Sequence, residues 1–116
     1  MRKSLTRADR LRRRADFDNV FANGRRVQGE GARMVFEANG LSRNRFAVTP
    51  TRTYETAVKR NRARRICKEA YRHLKHRLDT GYDVVFVIYP GSDSFDARNN
   101  QLDDLFSRAG IRRKYG

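Results

Sequence analysis

Apolar residues recur at steps of three and four along one stretch of the chain: Ala63, Ile66, Cys67, Ala70, Tyr71, Leu74 and Leu78. This spacing predicts an amphipathic helix. Thr56 supplies its N-cap and Thr80-Gly81 ends it near Leu78. At about 100° per residue, Arg64, Arg65, Lys68, Arg72 and Lys75 fall on the side opposite the apolar stripe. Elsewhere the period shortens to two. Ala32 to Ala38 (ARMVFEA) alternates as a strand does, and Asn44 to Thr49 reads as its return. Asn39-Gly40 between them is a hairpin signal, and Pro50 stops the return strand because it cannot donate to a ladder. Tyr82 to Tyr89 (YDVVFVIY) is almost continuously apolar, the pattern of a strand covered on both faces.

The remaining patterns complete the order. Leu11, Ala15, Phe17, Val20 and Phe21 predict a first helix from Thr6 or Asp9 to Asn23, with Asn23-Gly24 as its stop. Arg25 to Gln28 fits a short strand between glycine-rich flanks, and Thr51 to Thr56 is a loop. Leu102, Leu105, Phe106 and Ala109 predict a last helix over 96–109. The expected architecture is a small α+β sandwich, helices on a mixed sheet. At 116 residues one core suffices. The expected organisation is a flexible basic arm over 1–8, one domain over 9–109 and a basic tail over 110–116.

Charge changes the picture most. Lys and Arg number 27 against 13 Asp and Glu, a formal net charge of +14. Between Lys59 and Leu78 there are nine Lys or Arg and one acid, Glu69. Residues 2–14 add seven basic residues against Asp9, whereas 79–104 hold six Asp against one base, Arg98. A helix this basic repels itself unless a polyanion neutralises it, and segregated signs orient a domain on such a partner. The lone Cys67 excludes an internal disulfide and fits a reducing cytoplasm. The charged N-terminus has no apolar run behind it, so it predicts no secretory signal, and no segment predicts a membrane span.

Candidate chemistry is that of binding. Arg60-Asn61-Arg62 opens the basic helix, with Arg64, Arg65 and Lys68 continuing the patch. Arginine presents paired donors to phosphate, and asparagine can bond phosphate, ribose or local backbone. Phe17 and Phe21 stand one helical turn apart, and Phe36 lies mid-strand. They either fill the core or stack on unpaired bases beside the basic patch. His73 and His76 lack partners for a zinc site, and no nucleophile–base arrangement or phosphate-cradling glycine loop is apparent.

The run KRNRARRICKEAYR, preceded by Ala57-Val58, resembles the signature of the bacterial ribonuclease P protein component. RLRRRADFDNVFANGRRV resembles that family's N-terminal helix, RFAV the strand before its crossover and YDVVFVIYPG the strand after it. The resemblance covers about residues 8–109. It implies an αβββαβα fold of the ribosomal S5 domain 2 type, with a four-stranded mixed sheet and a left-handed βαβ crossover, against the usual right-handed rule. It also implies a subunit of a cytoplasmic ribonucleoprotein endonuclease that removes the 5′ leader from precursor tRNA. In that scheme the RNA holds Mg2+ and performs the hydrolysis, and this chain has no catalytic residue. Carried over, Arg60, Asn61, Arg62, Arg64, Arg65, Lys68 and Arg72 would contact the catalytic RNA. Phe17, Phe21, Phe36 and Arg52 would line the leader cleft. The family's Ser-Lys-Lys run and glycine before the Ala-Val pair are replaced here by TPTRTYET, Thr49 to Thr56, leaving Arg52 as its one base.

Two other readings compete. A non-enzymatic RNA-binding protein of the ribosomal type would bind rRNA and leave precursor tRNA unprocessed. A DNA-binding domain is disfavoured because no short second helix stands at helix-turn-helix spacing. The partners expected are the catalytic RNA and precursor tRNA, with no membrane and no obligate protein partner.

Overall fold

The computed structural model describes residues 7–113. Seven elements follow in the order α1 (Arg14–Asn23), β1 (Arg25–Gln28), β2 (Ala32–Ala38), β3 (Arg45–Pro50), α2 (Ala57–Leu74), β4 (Tyr82–Ile88) and α3 (Phe95–Ala109). The sheet order is β1-β2-β4-β3. β2 pairs antiparallel with β1 and β4, while β3 runs parallel to β4. The expected β2–β3 hairpin therefore does not form. β4 inserts between the two strands, and Asn39-Gly40 spans the gap. The physical reason is the apolar density of β4, all of it buried from Asp83 to Ile88, which favours the central position.

Strand parity divides the interior in two. Ala32, Met34, Phe36, Phe46, Val48, Val84, Phe86 and Ile88 face α2 and α3. Val35, Ala47, Val85 and Val87 face the other way, with Leu11 and with Val20 of α1. Phe46 stacks on Tyr71 of α2 at 4.0 Å, and Tyr71 in turn meets Phe106 of α3. Thr56 caps α2 by accepting from the Lys59 amide, and Ser94 caps α3 through the Ala97 amide.

Several boundaries differ from the predicted ones. α1 begins at Arg14 because Leu11, though buried, lies in extended chain: its amide bonds the Phe46 carbonyl along the outer edge of β3. Ala15 is consequently exposed. Of the predicted arm, residues 1–6 lie outside the described residues, and Arg7–Asp9 form a 3-10 turn. α2 ends at Leu74 and tightens into a 3-10 turn over Lys75–Arg77. The start of the predicted tail is folded. Gly110 takes the left-handed conformation (φ 78°) that closes α3, which brings Ile111 into the core. The Asp79 amide then bonds the Ile111 carbonyl, and residues 114–116 lie outside the described residues. Gly24 ends α1 differently, in extended backbone: a Cβ there would collide with the Val20 and Phe36 carbonyls.

Candidate nucleic-acid interface

α2 buries Ala63, Cys67, Ala70, Tyr71 and Leu74, which obliges its remaining positions to face outward or sideways. Arg62, Arg65 and Lys68 have no acidic partner among the described residues. Arg64 donates to Asn61 Oδ1 at 2.9 Å, a neutral contact that leaves its charge uncompensated. Desolvation holds the Lys68 amine below its ordinary pKa, and Arg64 and Arg10 add like-charge repulsion. The extended segment along β3 thus brings Arg10 beside the helix. Two members of the predicted set are differently engaged. Arg60 donates to the Tyr54 carbonyl at 3.2 Å. Arg72 is ion-paired with Glu69, whose carboxyl it holds below the usual carboxylate range, with His73 assisting.

The opposite sheet face carries a second surface. α1 crosses one end of it. There Asp16 meets Arg45 at 3.3 Å, Arg45 grips Asp83 through two bonds of 2.7 and 2.6 Å, and Asn19 bonds Glu37. Phe17 and Phe21 are half-buried against the small apolar cluster beneath the helix. Beyond α1, one register row runs Thr49, Val87, Arg33, Gln28 across the four strands. Paired residues share a face, so this row lies on the same sheet face as α1, beyond the end that the helix crosses. Arg33 makes no ion pair among the described residues, and its Nε is buried without a hydrogen-bond partner. Arg52 is exposed two residues past β3, at the same end of the sheet.

Phe36 does not join Phe17 and Phe21. It is 3% exposed, edge-on to Tyr82 and covered by the Arg25 guanidinium, on the sheet face that α2 and α3 cover. Parity decides this, since Met34 and Phe36 point one way and Arg33 and Val35 the other. Sequence reasoning misses Arg33. Its signal is its place one residue out of phase with the apolar series of β2.

A further cluster is also missed. Arg98 of α3 is fully buried, and it bonds Asp93, the Tyr89 and Gly31 carbonyls, Gln101 and the Tyr54 hydroxyl. Tyr54 also donates to Asp93 at 2.7 Å, and burial raises its phenol well above the ordinary value. This cluster fixes the loop before α2 and, through the Tyr54 carbonyl, Arg60. Its signal in the sequence is Arg98 as the lone base in an acidic run. Among the described residues no group of three or more His, Cys, Asp or Glu could hold a metal ion, and no helix is long and apolar enough to cross a membrane.

A mixed four-stranded sheet with α2 and α3 on one face and α1 on the other, and with cations on its long helix that have no acidic partner among the described residues, defines a small, strongly basic α+β domain. The sequence matches the family described as Ribonuclease P over residues 5–110. It is 35% identical over 109 residues to the ribonuclease P protein component of Pelotomaculum thermopropionicum, spanning 90% of this chain and 96% of that one. To the protein component of Thermotoga petrophila it is 34% identical over 87 residues, 75% of this chain and 74% of the relative. The RNase P protein of Thermotoga maritima, solved with 1-(4-fluorophenyl)-2-thiourea, superposes with a TM-score of 0.78 at 28% identity, covering 85% of this chain and 98% of that one. The Staphylococcus aureus RNase P protein shares the fold, with a TM-score of 0.82 at 18% identity over 92% of this chain and 100% of that one. The chain belongs to the ribonuclease P protein component family.

Proposed function

We propose that this chain binds a catalytic RNA through α2 and the single-stranded 5′ leader of precursor tRNA in the cleft beside α1. The observation that carries the reading is the placement of cations without acidic partners among the described residues, Arg62, Arg65 and Lys68 on α2 and Arg33 on the sheet face that carries α1. Each is a site where phosphate would serve as counterion. In this reading Arg60, Asn61, Arg62, Arg64, Arg65 and Lys68 contact the catalytic RNA. Arg72 contributes less because Glu69 already holds it. Phe17 and Phe21 offer ring faces to leader bases, Arg33 and Arg52 hold leader phosphates, and Phe36 has no part in the cleft.

The chain's chemical contribution is positioning. It screens repulsion between two RNA backbones and fixes the leader relative to the catalytic RNA. Magnesium ions would be held by the RNA and would supply charge stabilisation for the hydrolysis there; among the described residues of this chain no group of three or more His, Cys, Asp or Glu could hold one. The test is cleavage of a 5′-extended precursor tRNA at low magnesium by the bacterial catalytic RNA, with and without this chain. Faster cleavage at the mature 5′ end supports the proposal. Tight RNA binding without stimulation refutes it.

A further inference from the structure

The α2 surface has two flanks. Arg64 and Lys68 lie toward Arg10 and the β3 edge. Arg62 and Arg65 lie on the other flank, where an open groove runs between α2 and the start of α3, lined also by Ile66, Glu69 and Phe95. Phe95 is one of three large hydrophobic side chains exposed among the described residues, at 37%. The His73 ring stands edge-to-face with it at 5.6 Å. Both acids of the groove are committed elsewhere, Glu69 to Arg72 and His73, and Asp93 to the buried Arg98. An exposed aromatic ledge therefore stands beside two arginines that have no acidic partner among the described residues. Ledge and cations lie with α2 and α3, on the opposite side of the sheet from the α1 cleft.

We infer that this groove is a second stacking site, which takes one unpaired nucleotide of the catalytic RNA with its base on Phe95 and its phosphate between Arg62 and Arg65. The inference rests on the proposed function and extends it to a residue outside the basic helix. Three physical points argue for it. An aromatic face next to guanidinium groups matches the paired needs of a nucleotide, apolar stacking and anion neutralisation. The charge is complementary to RNA and repels a second copy of this strongly basic chain. The position, remote from the α1 cleft, assigns the nucleotide to the RNA that α2 grips rather than to the leader.

The chain has no tryptophan, so Phe95→Trp places a single indole in the groove. Titrating the bacterial catalytic RNA into Phe95→Trp is expected to quench the indole, while an isolated leader oligonucleotide does not. Phe95→Ala should weaken affinity for the catalytic RNA about tenfold, the factor that roughly 1.4 kcal/mol of stacking supplies, and Phe95→Tyr should restore it. Melting temperatures of the three variants check that each is folded. An unquenched indole together with wild-type affinity in Phe95→Ala overturns the inference. So does quenching by the leader oligonucleotide alone, or a loss of self-association in Phe95→Ala with RNA affinity intact. In each of these cases, retained stimulation of precursor cleavage by the wild-type chain leaves the proposed function standing. A wild-type chain that does not stimulate cleavage brings down the proposed function itself.

Discussion

Replacing Arg98 by methionine should destabilise the domain by roughly 3 kcal/mol. The change keeps an unbranched side chain about as long as the arginine stem and removes the guanidinium with its charge and donors. Arg98 is fully buried and bonds Asp93 at 2.6 Å, the Tyr89 carbonyl at 2.6 Å, Gln101 at 2.7 Å, the Gly31 carbonyl at 3.0 Å and the Tyr54 hydroxyl at 3.1 Å. Removing one partner of a buried ion pair typically costs about 3–5 kcal/mol, because the other charge is stranded. Two facts favour the lower end. The Asp93 side chain is 30% exposed and keeps its bond from Tyr54. The Gly31 carbonyl still accepts from the Tyr89 amide. For a domain of this size roughly 3 kcal/mol lowers Tm by about 12 °C. Urea denaturation followed by circular dichroism gives the free energy directly. Repeating it on an Asp93→Asn background should recover about 1 kcal/mol or more of coupling. A loss below about 1 kcal/mol, or additivity of the two changes, would falsify the view that Arg98 and Asp93 act as one buried unit.

Four further outcomes are expected. Arg65→Ala should reduce the salt dependence of catalytic-RNA binding by about one unit of slope for each phosphate it neutralises, and Arg72→Ala by less; equal effects would contradict the distinction drawn from Glu69. Phe17→Ala should weaken binding of leader-bearing precursor by roughly 1–3 kcal/mol more than mature tRNA, and equal losses accompanied by a large fall in Tm would assign the ring to packing alone. Cys67, whose thiol is pushed up to about 12 chiefly by burial, should resist alkylation in the folded protein at mildly alkaline pH. Its folded pKa is raised, so the stability it lends is complete below the ordinary thiol pKa and is lost as pH rises toward about 12; rapid native-state labelling would refute this. Thr56→Ala removes the cap on the Lys59 amide and should cost about 1 kcal/mol, read as a shifted urea midpoint.

The elements with long, regular patterns are legible in the sequence. The pattern places β2 to the residue, α2 and α3 within a few, and Thr56 as a cap, because each reports burial that the fold then satisfies. What the pattern does not convey is pairing. Asn39-Gly40 is a sound local turn, yet β2 and β3 are parted by β4, whose two-sided apolar run outweighs local proximity. Leu11 reads as helical because buried apolar residues look alike whether they sit on a helix or in an edge segment bonded to Phe46. That Arg62, Arg64, Arg65 and Lys68 lie outside the core is legible because an amphipathic helix turns its charged positions away from its apolar stripe. The error at Phe36 has a different origin: parity along a strand fixes which side chains share a face, but only the three-dimensional arrangement says which face carries α1.

That parity also explains how so small a domain presents two surfaces. β2 and β4 each send alternate residues to opposite layers, so one sheet supports the core under α2 and the cleft beside α1 at once. A one-residue slip of β2 would exchange Met34 and Phe36 for Arg33 and Val35, burying a cation in the core and emptying the cleft. The register is therefore strongly specified by hydrophobic burial, and the positions of Arg33 and of the basic helix follow from it. α2 is bound to the same frame at both ends. At its start the Arg98 cluster holds Tyr54, whose carbonyl anchors Arg60; past its end Leu78 pairs with Arg112 and the Asp79 amide bonds Ile111. Held this way, the cations of α2 and those of the cleft keep a fixed separation across the sheet. The proposed function, in which one RNA is held relative to another, would gain from that rigidity, because orientation already fixed in the free protein costs no further entropy on binding.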